Sequence, residues 1–148
     1  MNISIRTLHE DDYVQWLLLW QAYLEFYQTK LADEVTQQTW RRLTGRPDMQ
    51  ALGAFDEAGH LAGFAHIVIH PNTWNLTDCC YLEDLFTDPA FRRQGVARRL
   101  IEAVYAAAGE RGCNRVYWVT APENHTAQGL YNRLARQTGM LQYRKDLV

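Results

Sequence analysis

Tyr81-Leu82-Glu83-Asp84-Leu85-Phe86-Thr87-Asp88-Pro89-Ala90-Phe91-Arg92-Arg93-Gln94-Gly95-Val96-Ala97 is the stretch whose reading decides the fold. Apolar and aromatic residues make Cys79–Thr87 a strand, and Asp88-Pro89 breaks it. Helical periodicity then covers Arg92–Arg111, with Val96, Ala97, Leu100, Ile101, Val104, Ala107 and Ala108 on one side and Gly112 as a stop. A strand therefore runs out, turns, and opens a long helix through Arg-x-x-Gly-x-Ala. Helix N-termini leave backbone N–H groups unpaired and carry partial positive charge. Gly95 lets a ligand approach the backbone without a Cβ in the way. Arginines in a first turn oppose the helix dipole, so Arg92 and Arg93 favour an anion there, a phosphate or pyrophosphate, over a helix that merely starts basic. Neither a Gly-Lys-Ser/Thr P-loop nor a G-x-G-x-x-G fingerprint is present.

Upstream, Ile3–Thr7 reads as a short strand, and Asp11 and Asp12 offer a helix cap. A helical stripe follows in Tyr13, Trp16, Leu17, Trp20, Tyr23, Leu24 and Tyr27. Leu18, Leu19 and Phe26 lie outside that stripe, which predicts either a broadly buried helix or an extra face toward a substrate cleft or a second subunit. A shorter helix is expected over Asp33–Leu43. Asp56-Glu57-Ala58-Gly59 is a turn between strands Ala51–Phe55 and Leu61–Ile69, and Pro71, Asn72 and Asn75 mark the next loop. Downstream, Arg115–Ala121 reads as a strand. Asn124 can cap a helix whose apolar face holds Ala127, Leu130, Tyr131 and Leu134. Gly139 stops it, and Leu141–Leu147 is expected to form a last strand. The order is β-α-α-β-β-β-α-β-α-β, an α/β (α+β) chain with a mixed sheet.

The chain of 148 residues is about one domain, 1–148, large enough to bury a core without staples. A formal charge of −2 lacks the basic excess that general nucleic-acid binding needs. Cys79, Cys80 and Cys113 form no CxxC pair, which favours reduced, buried thiols over disulfides or zinc. No signal-peptide pattern opens the chain, and its longest apolar run, Trp16 to Trp20, is too short to span a bilayer. The expectation is a cytoplasmic protein with neither a membrane nor a nucleic-acid partner. His60, His66, His70 and His125 have no metal-ligand spacing, so no metal is expected. They read as solvated or packed, with His125 beside Asn124 a candidate ligand contact.

Arg92-Arg93-Gln94-Gly95-Val96-Ala97 resembles the acetyl-CoA signature of the GNAT (GCN5-related) N-acetyltransferases, Gln/Arg-x-x-Gly-x-Gly/Ala. Leu85-Phe86-Thr87-Asp88-Pro89 upstream, and Asn124, Ala127, Leu130 and Tyr131 downstream, extend the resemblance over essentially the whole chain. Tyr81-Leu82-Glu83-Asp84-Leu85-Phe86 is most similar to the diamine acetyltransferases and the yeast histone and polyamine acetyltransferases. Ala97 stands where many members have Gly. The resemblance implies a mixed, mostly antiparallel sheet of six to seven strands flanked by about four helices. It also implies acetyl-CoA as cosubstrate; relatives commonly form homodimers, while the oligomeric state of this chain is left open between monomer and homodimer. The pyrophosphate would lie on Arg93–Ala97 with Arg92 alongside, the pantetheine would pair with the edge at Leu85, Phe86 and Thr87, and Asn124 would contact the cofactor.

Acetylating an amine with a thioester requires deprotonating an ammonium, stabilising an oxyanion and protonating a leaving thiolate. The resemblance implies direct attack in a ternary complex, which agrees with the lack of a nucleophile–base pair. Tyr131 is the candidate acid toward the CoA sulfur, against a plain core tyrosine. Glu83 is the candidate base, directly or through water, and Asp84 a candidate anchor for a cationic amine. Strict strand alternation would put these two carboxylates on opposite faces, and the β-bulge of the family would relax that. The acceptor remains open between a polyamine or other small amine, an aminoglycoside, and a protein lysine or N-terminus. A non-catalytic acetyl-CoA-binding regulatory module is the alternative.

Overall fold

The computed structural model describes residues 2–148. Its order is β1 (Ser4–Thr7), a single 3-10 turn at Glu10–Asp12, α1 (Tyr13–Phe26), α2 (Asp33–Gly45), β2 (Met49–Phe55), β3 (Leu61–His70), β4 (Cys79–Thr87), a second 3-10 turn at Pro89–Phe91, α3 (Val96–Glu110), β5 (Arg115–Tyr117) and α4 (His125–Leu134). The strands form one sheet in the order β1-β2-β3-β4-β5, antiparallel throughout except for the parallel β4–β5 pair.

Period-two side chains on β3 serve two faces. Phe64 joins Trp16, Leu19, Trp20, Trp40 and Phe86 in a buried, largely aromatic hydrophobic cluster with α1 and α2. Gly63, one residue earlier, faces Val96 and Leu100 of α3. On α3 the buried positions are Val96, Leu100, Ile101, Val104 and Ala108, the helical stripe read from sequence. Burying each of the larger ones contributes about 1.5–3 kcal/mol, which holds α3 on the sheet. α1 is buried on one side only. Leu19 is in the core, whereas Val14, Leu18 and Phe26 are exposed, so of the two alternatives read from the residues outside the stripe, the broadly buried helix is not what forms.

The sheet has five strands among the described residues, not six or seven. Leu141–Leu147 joins no ladder, and residues 135–148 are all exposed. An alternating pattern needs a partner to become a strand, and nothing local supplies one. The strand expected over Arg115–Ala121 stops at Tyr117, because β5 pairs only with Cys79–Tyr81, ahead of an irregularity in β4. The long helix begins at Val96, four residues later than its apolar pattern suggested. Arg93 and Gly95 before it take left-handed φ values of 64° and 77°.

The described chain divides into two compact units, one through Trp118 and the other Val119–Val148, which carries α4. Cys79, Cys80 and Cys113 are free thiols, the first two buried. Among the described residues no helix is long and apolar enough to cross a membrane.

Candidate active site

β4 leads directly into the turn that opens α3. β3 covers one edge of β4 as far as Thr87, while β5 covers the other only from Cys79 to Tyr81. The opposite edge of Leu82–Thr87 thus has no strand beside it among the described residues. Asp88 then anchors the turn: its backbone N–H donates to Ala62 and its carboxylate accepts from the Ala90 N–H. Gly95 sits left-handed at the helix start with open space where a Cβ would be. The Arg99 N–H donates to the Gly95 carbonyl at 3.0 Å. The amides of Val96, Ala97 and Arg98 precede the first intrahelical donor, the Arg99 N–H, and point out of the helix end. No acidic residue lies in that first turn. Arg92, Arg93 and Gln94 are exposed beside it, with the Arg92 guanidinium 5.7 Å above the Phe26 ring. This end of α3 is therefore suited to an anion.

The irregularity in β4 is a bulge at Glu83. Asp84 stands opposite His66 and Leu82 opposite Ile67, so Glu83 is the extra residue. Glu83 is exposed, yet its pKa is raised, first by the protein packed around it and then by the neighbouring Asp84 carboxylate. Asp84 is held from two sides. The Tyr23 hydroxyl donates to Oδ1 at 2.8 Å, and Nδ1 of His66 lies 2.9 Å from Oδ2. Trp16 Nε1–H donates to His66 Nε2 at 3.0 Å. An indole N–H can only donate, so Nε2 carries the lone pair and Nδ1 the hydrogen that goes to Asp84. Burial, with Asp84 second, raises the pKa of Tyr23 and keeps its hydroxyl a donor.

In the smaller unit, Asn124 stands at the start of α4, with Nδ2 3.4 Å from the Thr120 hydroxyl and no side-chain cap bond to the helix. Ala127, Leu130, Tyr131 and Leu134, the face expected from sequence, are half-buried. Larger and smaller units each hold part of the expected set: Glu83 to Ala97 in one, Asn124 and Tyr131 in the other.

Sequence reasoning missed the groups behind Asp84. By sequence His66 is one solvated or packed histidine among others, whereas the structure makes it 1% exposed and hydrogen-bonded at both ring nitrogens. Its place between Phe64 and Val68 in an apolar strand was the available signal. A second fixed histidine, His70, has Nδ1 on the Pro71 carbonyl and Nε2 2.6 Å from the Tyr117 hydroxyl, whose ring stacks on Tyr81. No group of three or more potential metal ligands occurs among the described residues.

The sequence profile of the acetyltransferase (GNAT) family matches residues 11–135. The chain is 37% identical over 148 residues to the D-amino-acid N-acetyltransferase HPA3 of Saccharomyces cerevisiae, covering 98% of this chain and 91% of that one. It is 33% identical over 117 residues to the aminoglycoside N(6')-acetyltransferase type 1 of Salmonella typhimurium, covering 64% of this chain and 81% of that enzyme. Among solved structures it superimposes with a TM-score of 0.86 on AAC(6')-Iy in complex with a CoA-linked bisubstrate analogue, at 23% identity and with 100% of both chains covered. That likeness is one of fold.

Proposed function

This chain belongs to the acetyltransferase (GNAT) family and is an N-acetyltransferase, and from that premise we propose that it moves the acetyl group of acetyl-CoA onto the primary amine of a small molecule. The observation that carries the donor half is the open edge of β4 leading into the unpaired amides of α3. Amides around Arg93–Ala97, with Arg92 alongside, hold the pyrophosphate, because a helix N-terminus with no acid in its first turn favours an anion. Leu85, Phe86 and Thr87 offer the pantetheine amides a strand edge to add to. Asn124 contributes a further cofactor contact from the start of α4.

Glu83 takes a proton from the acceptor ammonium, directly or through water. Its raised pKa makes it a stronger base than an ordinary glutamate once ionised. Asp84 presents negative charge to the same amine. The freed lone pair attacks the thioester carbon, the new C–N bond replaces the C–S bond, Tyr131 gives its phenolic proton to the leaving sulfur, and the second proton lost by the nitrogen restores the phenol. The small-molecule acceptor is supported by the substrates named for the relatives, a D-amino acid and an aminoglycoside. Acetyl-CoA with a panel of D-amino acids, diamines, polyamines, aminoglycosides and lysine peptides, read by free thiol, tests the proposal. Turnover is expected with small amines. Turnover with peptides alone overturns the acceptor, and CoA binding without thiol release on any amine indicates a regulatory module.

A further inference from the structure

Trp16, His66, Asp84 and Tyr23 form one continuous chain of hydrogen bonds across the α1 face of the sheet. It spans three elements: α1 supplies Trp16 and Tyr23, β3 supplies His66, and β4 supplies Asp84. The His66 ring stacks on Phe64 at 4.5 Å and 13° between planes, so packing fixes its plane and Trp16 fixes its tautomer. Burying an imidazole is costly unless both nitrogens are satisfied, and here both are. The chain ends one residue from the bulged Glu83, on a carboxylate that has a protein donor at each oxygen.

We propose that His66, locked by Trp16, is a positioning residue for acetyl transfer: it holds the Asp84 carboxylate in place beside Glu83 and acts on the proton transfer through Asp84, without touching either substrate. The proposal rests on the reading of Glu83 as the base. With Asp84 tied to β3 and α1, its negative charge stays at a fixed distance from Glu83, and Glu83 keeps its proton to higher pH. The other titratable groups turned toward this pair are phenols, Tyr23 from α1 and Tyr81 on β4 itself. Asp84 is the anion among them. Its placement therefore sets where the acid side of the reaction profile falls.

The test is the pH profile of kcat/KM with acetyl-CoA and the best amine of the panel. In His66→Leu neither hydrogen bond survives. The acid limb should move to lower pH, and kcat should fall toward the ~10²-fold that a misplacement of about 1 Å costs. His66→Asn places an amide N–H where Nδ1–H was, and should restore the limb and most of kcat although the bond from Trp16 is lost. If His66→Leu does not fold, Tyr23→Phe removes a single hydroxyl from the other side of Asp84 and should move the limb in the same direction by less. Folded variants with a lower Tm but an unchanged limb and kcat overturn the proposal, as does an Asn variant no better than Leu. Glu83→Gln separates the two failures. A limb that persists in Glu83→Gln sinks the base assignment, whereas a limb lost there but unmoved in His66→Leu sinks the positioning role alone.

Discussion

A Cβ placed on Gly63 would lie 2.7 Å from the carbonyl oxygen of Phe86, and 3.0 Å from Cγ1 of Val96. β3 and β4 thus meet at a point with no room for a methyl group, directly beneath the start of α3. Because the nearest atom is backbone, Gly63→Ala must shift a strand or lift the helix. It should destabilise the protein by roughly 1–3 kcal/mol, the usual cost of overpacking. Acetyl-CoA affinity should also fall, because the displaced end of α3 carries the amides assigned to the pyrophosphate. Calorimetric binding beside thermal melts checks both effects.

Gly95 has the opposite surroundings: nothing lies within 4 Å of its absent Cβ, and the constraint is its φ of 77°. Asn and Asp both tolerate that region better than other residues, and they differ in charge. Gly95→Asn should retain part of the stabilisation by acetyl-CoA, which at 100 times the dissociation constant is about 2.7 kcal/mol. Gly95→Asp should lose it through repulsion of the pyrophosphate while staying folded. Equal thermal shifts in wild type and Gly95→Asp would remove the cofactor from this end of α3.

Tyr131→Phe deletes only a hydroxyl, so the half-buried face of α4 should survive. If Tyr131 protonates the departing sulfur, kcat should fall by about 10²–10⁴-fold with little change in acetyl-CoA affinity. Lost stability with near-normal turnover would mark it as a packing residue.

Asp12 tests the larger unit rather than the chemistry. Arg6 donates to both its carboxylate oxygens at 2.8 and 2.9 Å, and the His9 backbone N–H donates as well. The hydrogen bonds from Arg6 come first in lowering its pKa, against the opposing effect of burial. A carboxylate with a lowered folded pKa contributes stability above its ordinary value near 3.8, and that stability is lost as pH falls through the folded pKa. Asp12→Asn should therefore cost about 1.5–3 kcal/mol at neutral pH, and the gap to wild type should close at a pH low enough to protonate Asp12 in the folded protein. A gap that stays constant down to that pH would show that ionisation of Asp12 does not matter.

Local patterns were legible where the structure is local. The stripe Val96, Leu100, Ile101, Val104 and the face Ala127, Leu130, Tyr131, Leu134 emerge as half-buried or buried, because helical spacing alone determines them. The start of α3 was misjudged because Arg92–Gln94 are compatible with a helix, and only the left-handed Arg93 and Gly95 exclude it. Leu141, Tyr143 and Leu147 share one face of an extended segment, with Lys145 interrupting it, yet such a pattern does not supply an edge to pair with. The groups around Asp84 were out of reach for a different reason. Trp16 meets His66 across 50 residues, and Tyr23 meets Asp84 across 61, so the contacts exist only once three elements have packed. Adjacent carboxylates at Glu83 and Asp84 marked the place, but not which would face solvent and which would be tied down.

Glu83 occupies the one position in β4 that its ladder with β3 does not use. Leu82 and Asp84 already face opposite sides of the sheet, as consecutive residues in an uninterrupted strand would. Deleting Glu83 alone would join them without turning any later side chain over, from Asp84 to the start of α3. The protein should then fold with a smoother sheet and bind acetyl-CoA, yet be inert. The proposed base is thus an insertion carried by an otherwise complete scaffold, and on that reading reactivity and architecture can be separated by a single codon.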